Sequence, residues 1–415
     1  MILCPFPLSS PLSTSLPQNS FSLPRSRGRF RTPGMRRFFQ SIRKATWTLF
    51  CLASLALILA FVTALPLLQL ITLGYLLAVA GHLASGGQLK DALPNLNAAG
   101  VFGAAFLALA VASAPTRLLA HWESVAAVID PGSPDATRLR IGALALSAFL
   151  TVYLGWAWVR GGRLKHYLWP QPKRFFKEAW RPSTWSQFAD RVWAFLKGLR
   201  IPALFWMGVR GALLTLVWLI PAFVIMGVTR QGDNAADGLL GVLALFTLAF
   251  VLLYLPMLQT HFAAQNNWRA MFQWRQVRSD FRYAPWSWAG AMLVGLVLMP
   301  IPLYLLKIEA TPQEITWLPC LVFVAFMLPA RIAEGLALRR CRRLRVLAES
   351  GEWSPGVWSG RWWFVSRWAV RLVVMPAIVG FYMLVLMGSQ FTSWDGVETW
   401  VRQHALLVPV PFVGV

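Results

Sequence analysis

The chain is poor in acid and poor in charge altogether. Its 415 residues hold 16 Asp and Glu against 39 Lys and Arg, and only 13% are charged. A soluble domain carries about 25%, so an ordinary water-solvated globule is excluded. Cysteine is sparse too: Cys4, Cys51, Cys320 and Cys341 show no CxxC spacing and specify no disulfide framework. The histidines, His82, His121, His166, His261 and His404, are scattered without HExxH or HxxxH spacing, which removes the helix-borne zinc motifs. Each reads as an interfacial or loop residue. A Walker A loop, a dinucleotide fingerprint and a Gly-x-Ser-x-Gly elbow are also missing. We therefore expect no catalytic residue, no cofactor site and no metal site, in a protein that is not an enzyme.

One absence organises the rest. Between Ala45 and Ala84 there is no Asp, Glu, Lys or Arg. A membrane-spanning helix needs roughly 20 apolar residues, so this run is long enough for two. Pro66 divides it, since proline lacks an N–H and disfavours helix at the preceding residue. The reading is a helical hairpin with its tip near Leu65–Pro66, or a spanning helix followed by an interfacial one. Both readings make the chain an integral membrane protein, in line with 57% hydrophobic residues and a mean hydropathy of +0.54.

What is abundant is Arg, Lys and Trp. The net charge is +23, and the cations flank apolar runs, where topology signals sit. This places them beside lipid and excludes nucleic acid as the expected partner. Many of the 22 tryptophans, among them Trp47, Trp156, Trp158, Trp286, Trp288 and Trp317, lie near the ends of apolar runs, as an interfacial belt requires.

Further spans are expected at 98–114, 141–159, 203–228, 239–258, 286–306, 315–338 and 371–390, with a charge-balanced loop at Pro115–Arg140. The basic segments 160–200, 261–285 and 339–371 are then cytoplasmic by the positive-inside rule. The loops Arg230–Gly238 and Lys307–Glu314 carry acid and face the other side. Within the first basic segment Thr184 and Gln187 stand at capping-box spacing. After them Trp185, Phe188, Val192, Phe195, Leu196 and Leu199 recur at helical intervals. This predicts an amphipathic helix lying in the interface, the alternative being a soluble helix against its own loop. An even number of crossings between the N-terminus and segment 160–200 requires residues 66–84 to cross.

Residues 1–40 read as a disordered basic leader, with Met35 a second candidate start. They are followed by a first membrane half (41–160), the basic segment (161–200), a second half (201–390) and a tail (391–415). LPLLQ at 65–69 and LPMLQ at 255–259 are 190 residues apart, as are Ala99-Gly100 and Ala289-Gly290. Such spacing suggests an internal duplication. If the copies run parallel, 66–84 is interfacial instead. The phrase LPLLQLITLGYLLAVAG, with its Gly74-Tyr75 pair and the later Leu93-Pro94, resembles a bacterial polytopic membrane-protein family of unknown function across residues 50–115, with the second copy of the duplication a further candidate for it. The resemblance implies membrane location and fold style, with no chemistry attached.

Ionisable groups in spans are functional candidates by default. Arg331 and Glu334 are i,i+3 neighbours able to pair on one helix face. Gln69 and Gln259, each following a proline, suit helix–helix hydrogen bonds. Arg210, Arg367 and Arg371 read as snorkelling to the cytoplasmic interface, which is the alternative reading of Arg331 as well. Arg339, Arg340, Arg342, Arg343 and Arg345 ring one helix end and are candidate anionic-lipid contacts. The expected fold is all-α, a polytopic transmembrane helix bundle of about eight or nine membrane helices with an interfacial helix near 184–199. Its expected partners are the lipid bilayer and anionic lipids, and its expected location a bacterial cytoplasmic membrane. The expected function is transport-related or scaffolding, the alternative a membrane enzyme acting on lipid.

Overall fold

A computed structural model describes residues 33–65, 67–169, 171–229, 235–298, 317–352 and 357–390. The residues of the leader before Pro33, the acid-leaning loop Lys307–Glu314 and the tail from 391 onward lie outside the described residues. The chain divides into two units, Met1–Thr46 and Trp47–Val415. Of the first, the described part is the basic opening of α1 (Pro33–Ala64), with Phe38 and Phe39 exposed.

The described residues are overwhelmingly helical and contain no strand. In chain order α1 is followed by α2 (Gln69–Ala84), α3 (Leu96–Ile129), α4 (Pro134–Val159), α5 (Leu164–Leu168), α6 (Pro172–Glu178), α7 (Pro182–Gly198), α8 (Ile201–Thr229) and α9 (Ala235–Gln265). A 3-10 turn at Trp268–Phe272 leads to α10 (Trp274–Phe281) and α11 (Pro285–Met292), which runs into a π-helical stretch, Leu293–Leu298. Then come α12 (Trp317–Glu349) and α13 (Val357–Ala369), a second π-helical stretch at Val370–Val374, and α14 (Met375–Gln390). Seven described stretches are long and apolar enough to cross a membrane, and Gln69–Ala84 and Pro285–Leu298 are shorter apolar helices. The bundle class expected from the sequence is the one observed.

At the centre stands α2, packed against α8, α9 and α12. Lipid tails are as apolar as leucine, so helices in a membrane associate through close packing and polar contacts. α2 achieves this with glycine. A Cβ on Gly74 would collide with the Leu204 carbonyl of α8, and one on Gly208 with the Leu70 carbonyl, so the two backbones touch. Gly81 meets the Ala263 backbone of α9 in the same way, and Gly335 of α12 rests on Ala80. Between α1 and α2 the chain reverses through Leu67, at φ +66°; Pro66 lies outside the described residues. The arms are clasped by Thr63 Oγ1 donating to Thr72 Oγ1 at 2.9 Å.

Two local expectations are corrected. Pro115–Arg140 is no loop: α3 continues through Pro115 to Ile129, and only a short turn precedes α4. A proline forfeits one hydrogen bond without ending a long apolar helix, and Ser133 accepts from the Ala136 N–H to start α4 at Pro134. The amphipathic helix exists as α7, but Arg181 occupies its N-cap position with Pro182 at the first turn. The Thr184–Gln187 capping box therefore does not form, because proline at the first helical position sets the start earlier.

Candidate functional site

The polar residues that the apolar sequence spared converge where α8, α9 and α12 meet. Pro329 and Pro256 lie inside α12 and α9, and polar side chains follow each of them. Arg331 Nη1 donates to Glu334 Oε2 at 2.8 Å, with the two side chains 1% and 0% exposed. Arg331 Nη2 donates to Gln259 Oε1 at 2.7 Å, and Gln259 Nε2 to Thr215 Oγ1 at 2.7 Å. Thr260 Oγ1 lies 3.3 Å from Glu334 Oε2 and 3.0 Å from the Pro256 carbonyl one turn back on α9. The pair thus stands inside a chain of hydrogen bonds tying three helices together. A lone buried ion would cost several kcal/mol; its partners offset that cost. Glu334 Oε1 and Arg331 Nε have no partner among the described residues. Gly295, in the π-helical stretch, faces this carboxylate, and a Cβ there would come within 2.8 Å of Oε1.

The i,i+3 spacing points to Arg331 and Glu334, and the preceding proline to Gln259. Neither finds Thr215, Thr260 or Gly295, which carry no signal of their own. Gln69 joins no such chain: its Oε1 is buried without a partner among the described residues. The candidate repeat also diverges here, since the first proline separates two helices whereas Pro256 lies within continuous α9.

A second polar cluster lies one to three turns farther along α12. Asp280 of α10 is fully buried and takes Arg345 Nη1 at 3.1 Å and Arg342 Nε at 3.7 Å. Arg342 Nη2 donates to His261 Nδ1, and His261 Nε2 stands 2.9 Å from Gln273 Oε1. These contacts place the ring proton on Nε2. His261 is therefore a buried helical residue, not a loop residue. Arg339 Nη1 donates to the Gly87 carbonyl at 2.9 Å and Arg342 Nη1 to the Ala84 carbonyl at 3.3 Å. The Ala84 carbonyl is the last of α2, where a helix leaves its acceptors open and favours cations, and Gly87 lies just beyond it. Of the five candidate lipid contacts, Arg339, Arg342 and Arg345 are thus engaged within the protein, while Arg340 and Arg343 are exposed.

The other arginines also have internal neighbours. Arg210 Nη2 donates to Asn266 Oδ1 at 2.8 Å, beyond the end of α9. Arg367 and Arg371 lie over Phe364 and Trp368, at 5.4 and 5.9 Å from the ring centroids. Tyr75, from the pattern noted in the sequence, donates to the Pro94 carbonyl at 3.0 Å. Its neighbour Gly74 makes the crossing with α8, so the Gly-Tyr pair and the Leu-Pro loop belong to one packing arrangement. Among the described residues, no group of three His, Cys, Asp or Glu is placed to hold a metal ion.

Seven stretches suited to crossing and a polar network buried among them fit a multi-pass α-helical membrane protein. Residues 197–308 match a family described as "Protein of unknown function (DUF4013)". That domain takes in α8 to α11, including Thr215, Gln259, Thr260 and Gly295. The resemblance noted in the sequence lies on residues 50–115, whereas the match falls where its second copy was expected. No curated protein matches the chain, and no solved structure does.

Proposed function

We propose that the chain is a non-enzymatic membrane scaffold that sets its depth by binding anionic head groups at the basic end of α12. The observation that carries this reading is the division of labour along that helix. Arg331 is consumed by internal partners, as are Arg339, Arg342 and Arg345, whereas Arg340 and Arg343 face outward. Each cation near an anionic leaflet contributes about 1 kcal/mol of attraction, so the outward pair supplies about 2 kcal/mol. The basic segments then lie on the cytoplasmic side.

The test compares thermal stability in anionic and zwitterionic nanodiscs. Wild type gains stability from the anionic lipid, and R340Q/R343Q loses most of that gain while matching wild type in the zwitterionic discs. R342Q, which strips partners from His261, Asp280 and Ala84, is destabilised equally in both. An equal gain for wild type and R340Q/R343Q would reduce the pair to a topology signal and defeat the reading.

Transport is the second reading, favoured by the two buried atoms of the Arg331–Glu334 pair that have no partner among the described residues. An intramembrane carboxylate with a free oxygen can carry a proton. Proton flux into dye-loaded vesicles, abolished by Glu334→Gln, would support it; no flux in the wild type would remove it.

A further inference from the structure

A cavity of about 370 Å³ opens between the C-terminal end of α4 and helices α5 to α7, with no α12 residue in its lining. Ligand sites fall in the range of about 300–1,000 Å³. Its lining brings together Arg160, Lys165, Arg174 and Arg191 against one carboxylate, Glu178. Arg174 and Glu178 bind each other, Nε to Oε1 at 2.9 Å, so three cations remain without an ionic partner in the lining. Trp156, also in the lining, is 5% exposed, and its indole N–H has no acceptor among the described residues. Arg160 Nε is likewise buried without an acceptor, although its Nη2 donates to the His166 carbonyl. Buried donors are nearly always paired. Here two remain open among the described residues beside a surplus of positive charge, a combination that an anionic acceptor completes. The surroundings agree, since burial and the charges of Arg160, Lys165, Arg163 and Arg174 hold His166 below its usual value. Exposed Trp169, Trp180, Trp185 and Trp193 lie around this segment, as in a stretch seated at a membrane interface.

We propose that this cavity binds a phosphate monoester, with Arg160, Lys165 and Arg191 holding the phosphate oxygens and the Trp156 indole N–H donating a directional hydrogen bond. The group can reach the cavity as a lipid headgroup or as a soluble ester, and the same donors serve both. The assignment is independent of the lipid contacts of α12 and stands whether or not Arg340 and Arg343 bind head groups.

The experiment uses the full chain in two arms. In the soluble arm, protein in phosphatidylcholine nanodiscs is titrated with glycerol 3-phosphate by calorimetry. In the lipid arm, thermal stability is compared between nanodiscs containing phosphatidic acid and nanodiscs containing an equal charge of phosphatidylglycerol, a diester. Binding in the first arm identifies a soluble ester. A gain specific to phosphatidic acid without soluble binding identifies a lipid headgroup. The double variant K165Q/R191Q should lose roughly tenfold in affinity, or the phosphatidic-acid gain. Lys173→Gln, an exposed cation outside the lining, should leave both unchanged. Trp156→Phe keeps the ring against Phe175 but removes the donor, and should weaken binding without altering net charge. The proposal is overturned if wild type responds in neither arm, or if K165Q/R191Q and Trp156→Phe both respond like wild type. It is equally overturned if Lys173→Gln loses as much as the double variant.

Discussion

Two helices of equal hydropathy occupy opposite situations. α3 and α12 each contain an 18-residue window of mean hydropathy 1.8, yet 17% of that window is buried in α3 and 50% in α12. In a lipid solvent, apolar character says that a helix belongs in the bilayer and nothing about where in the bundle it stands. The difference is written in other residues. α12 brings Gly335 onto the α2 backbone and Arg331 and Glu334 into a buried network. α3 has small residues against α1 at Gly100 and Gly103, after which Phe106, Leu109, Val111, Leu118 and Val125 are exposed. Its neighbour α4, only 11% buried in its window, has Gly142 and Gly155 facing open space. Position is therefore encoded by the small and polar residues, with the leucines neutral.

The sharpest way to break this contrast is to enlarge a glycine in each region. Gly74→Val places two methyl groups against the α8 backbone and should cost more than about 3 kcal/mol, read as loss of a cooperative melt in detergent. Gly155→Val should melt within error of wild type. Comparable losses at both positions would show that packing is equally demanding in α4. A smaller effect, though still large, is expected from the buried pair. Arg331→Met alone leaves Glu334 uncompensated and should cost about 3–5 kcal/mol. R331M/E334L removes the stranded charge and should recover at least half of that loss. Additive losses in the double-variant cycle would mean that the two side chains act independently. The smallest expected change is Tyr75→Phe, which loses one hydrogen bond to Pro94 and about 1 kcal/mol. No shift in its melting curve would remove that bond from the packing arrangement.

Much of the bundle was legible because lipid imposes long uncharged runs that nothing else requires. α7 could be read from the recurrence of Trp185, Phe188, Val192 and Phe195, and the Arg331–Glu334 pair from a spacing of three. Pro115 misled because a proline that ends a helix in water is tolerated in a membrane, where the rest of an apolar helix has no better alternative. The arginines of α12 were the least legible. Their partners Ala84, Gly87, His261 and Asp280 lie far away in sequence, and positive charge beside an apolar run looks the same whether it meets a phosphate, a carboxylate or a helix end. His261 was misjudged for the same reason: nothing local to it announces Gln273 and Arg342 as neighbours. The cavity between α4 and α7 was hidden too, because its cations looked like one continuous basic segment.

The central position of α2 has a consequence for how the protein is made. At 16 residues the helix is about 24 Å long, short of the roughly 30 Å hydrocarbon core. The helices that enclose it start at Ile201, Ala235 and Trp317. At synthesis rates of about 5–20 residues per second, α12 leaves the ribosome roughly 10–50 s after α2. Until α8 and α9 emerge the bare backbone at Gly74 and Gly81 lacks the neighbours it meets in the bundle, and until α12 emerges the carbonyls of Ala84 and Gly87 lack their arginines. Until its later partners α8, α9 and α12 arrive, this short segment has α1, already made, to pack against. The last of those partners, α12, is the one that closes its open end.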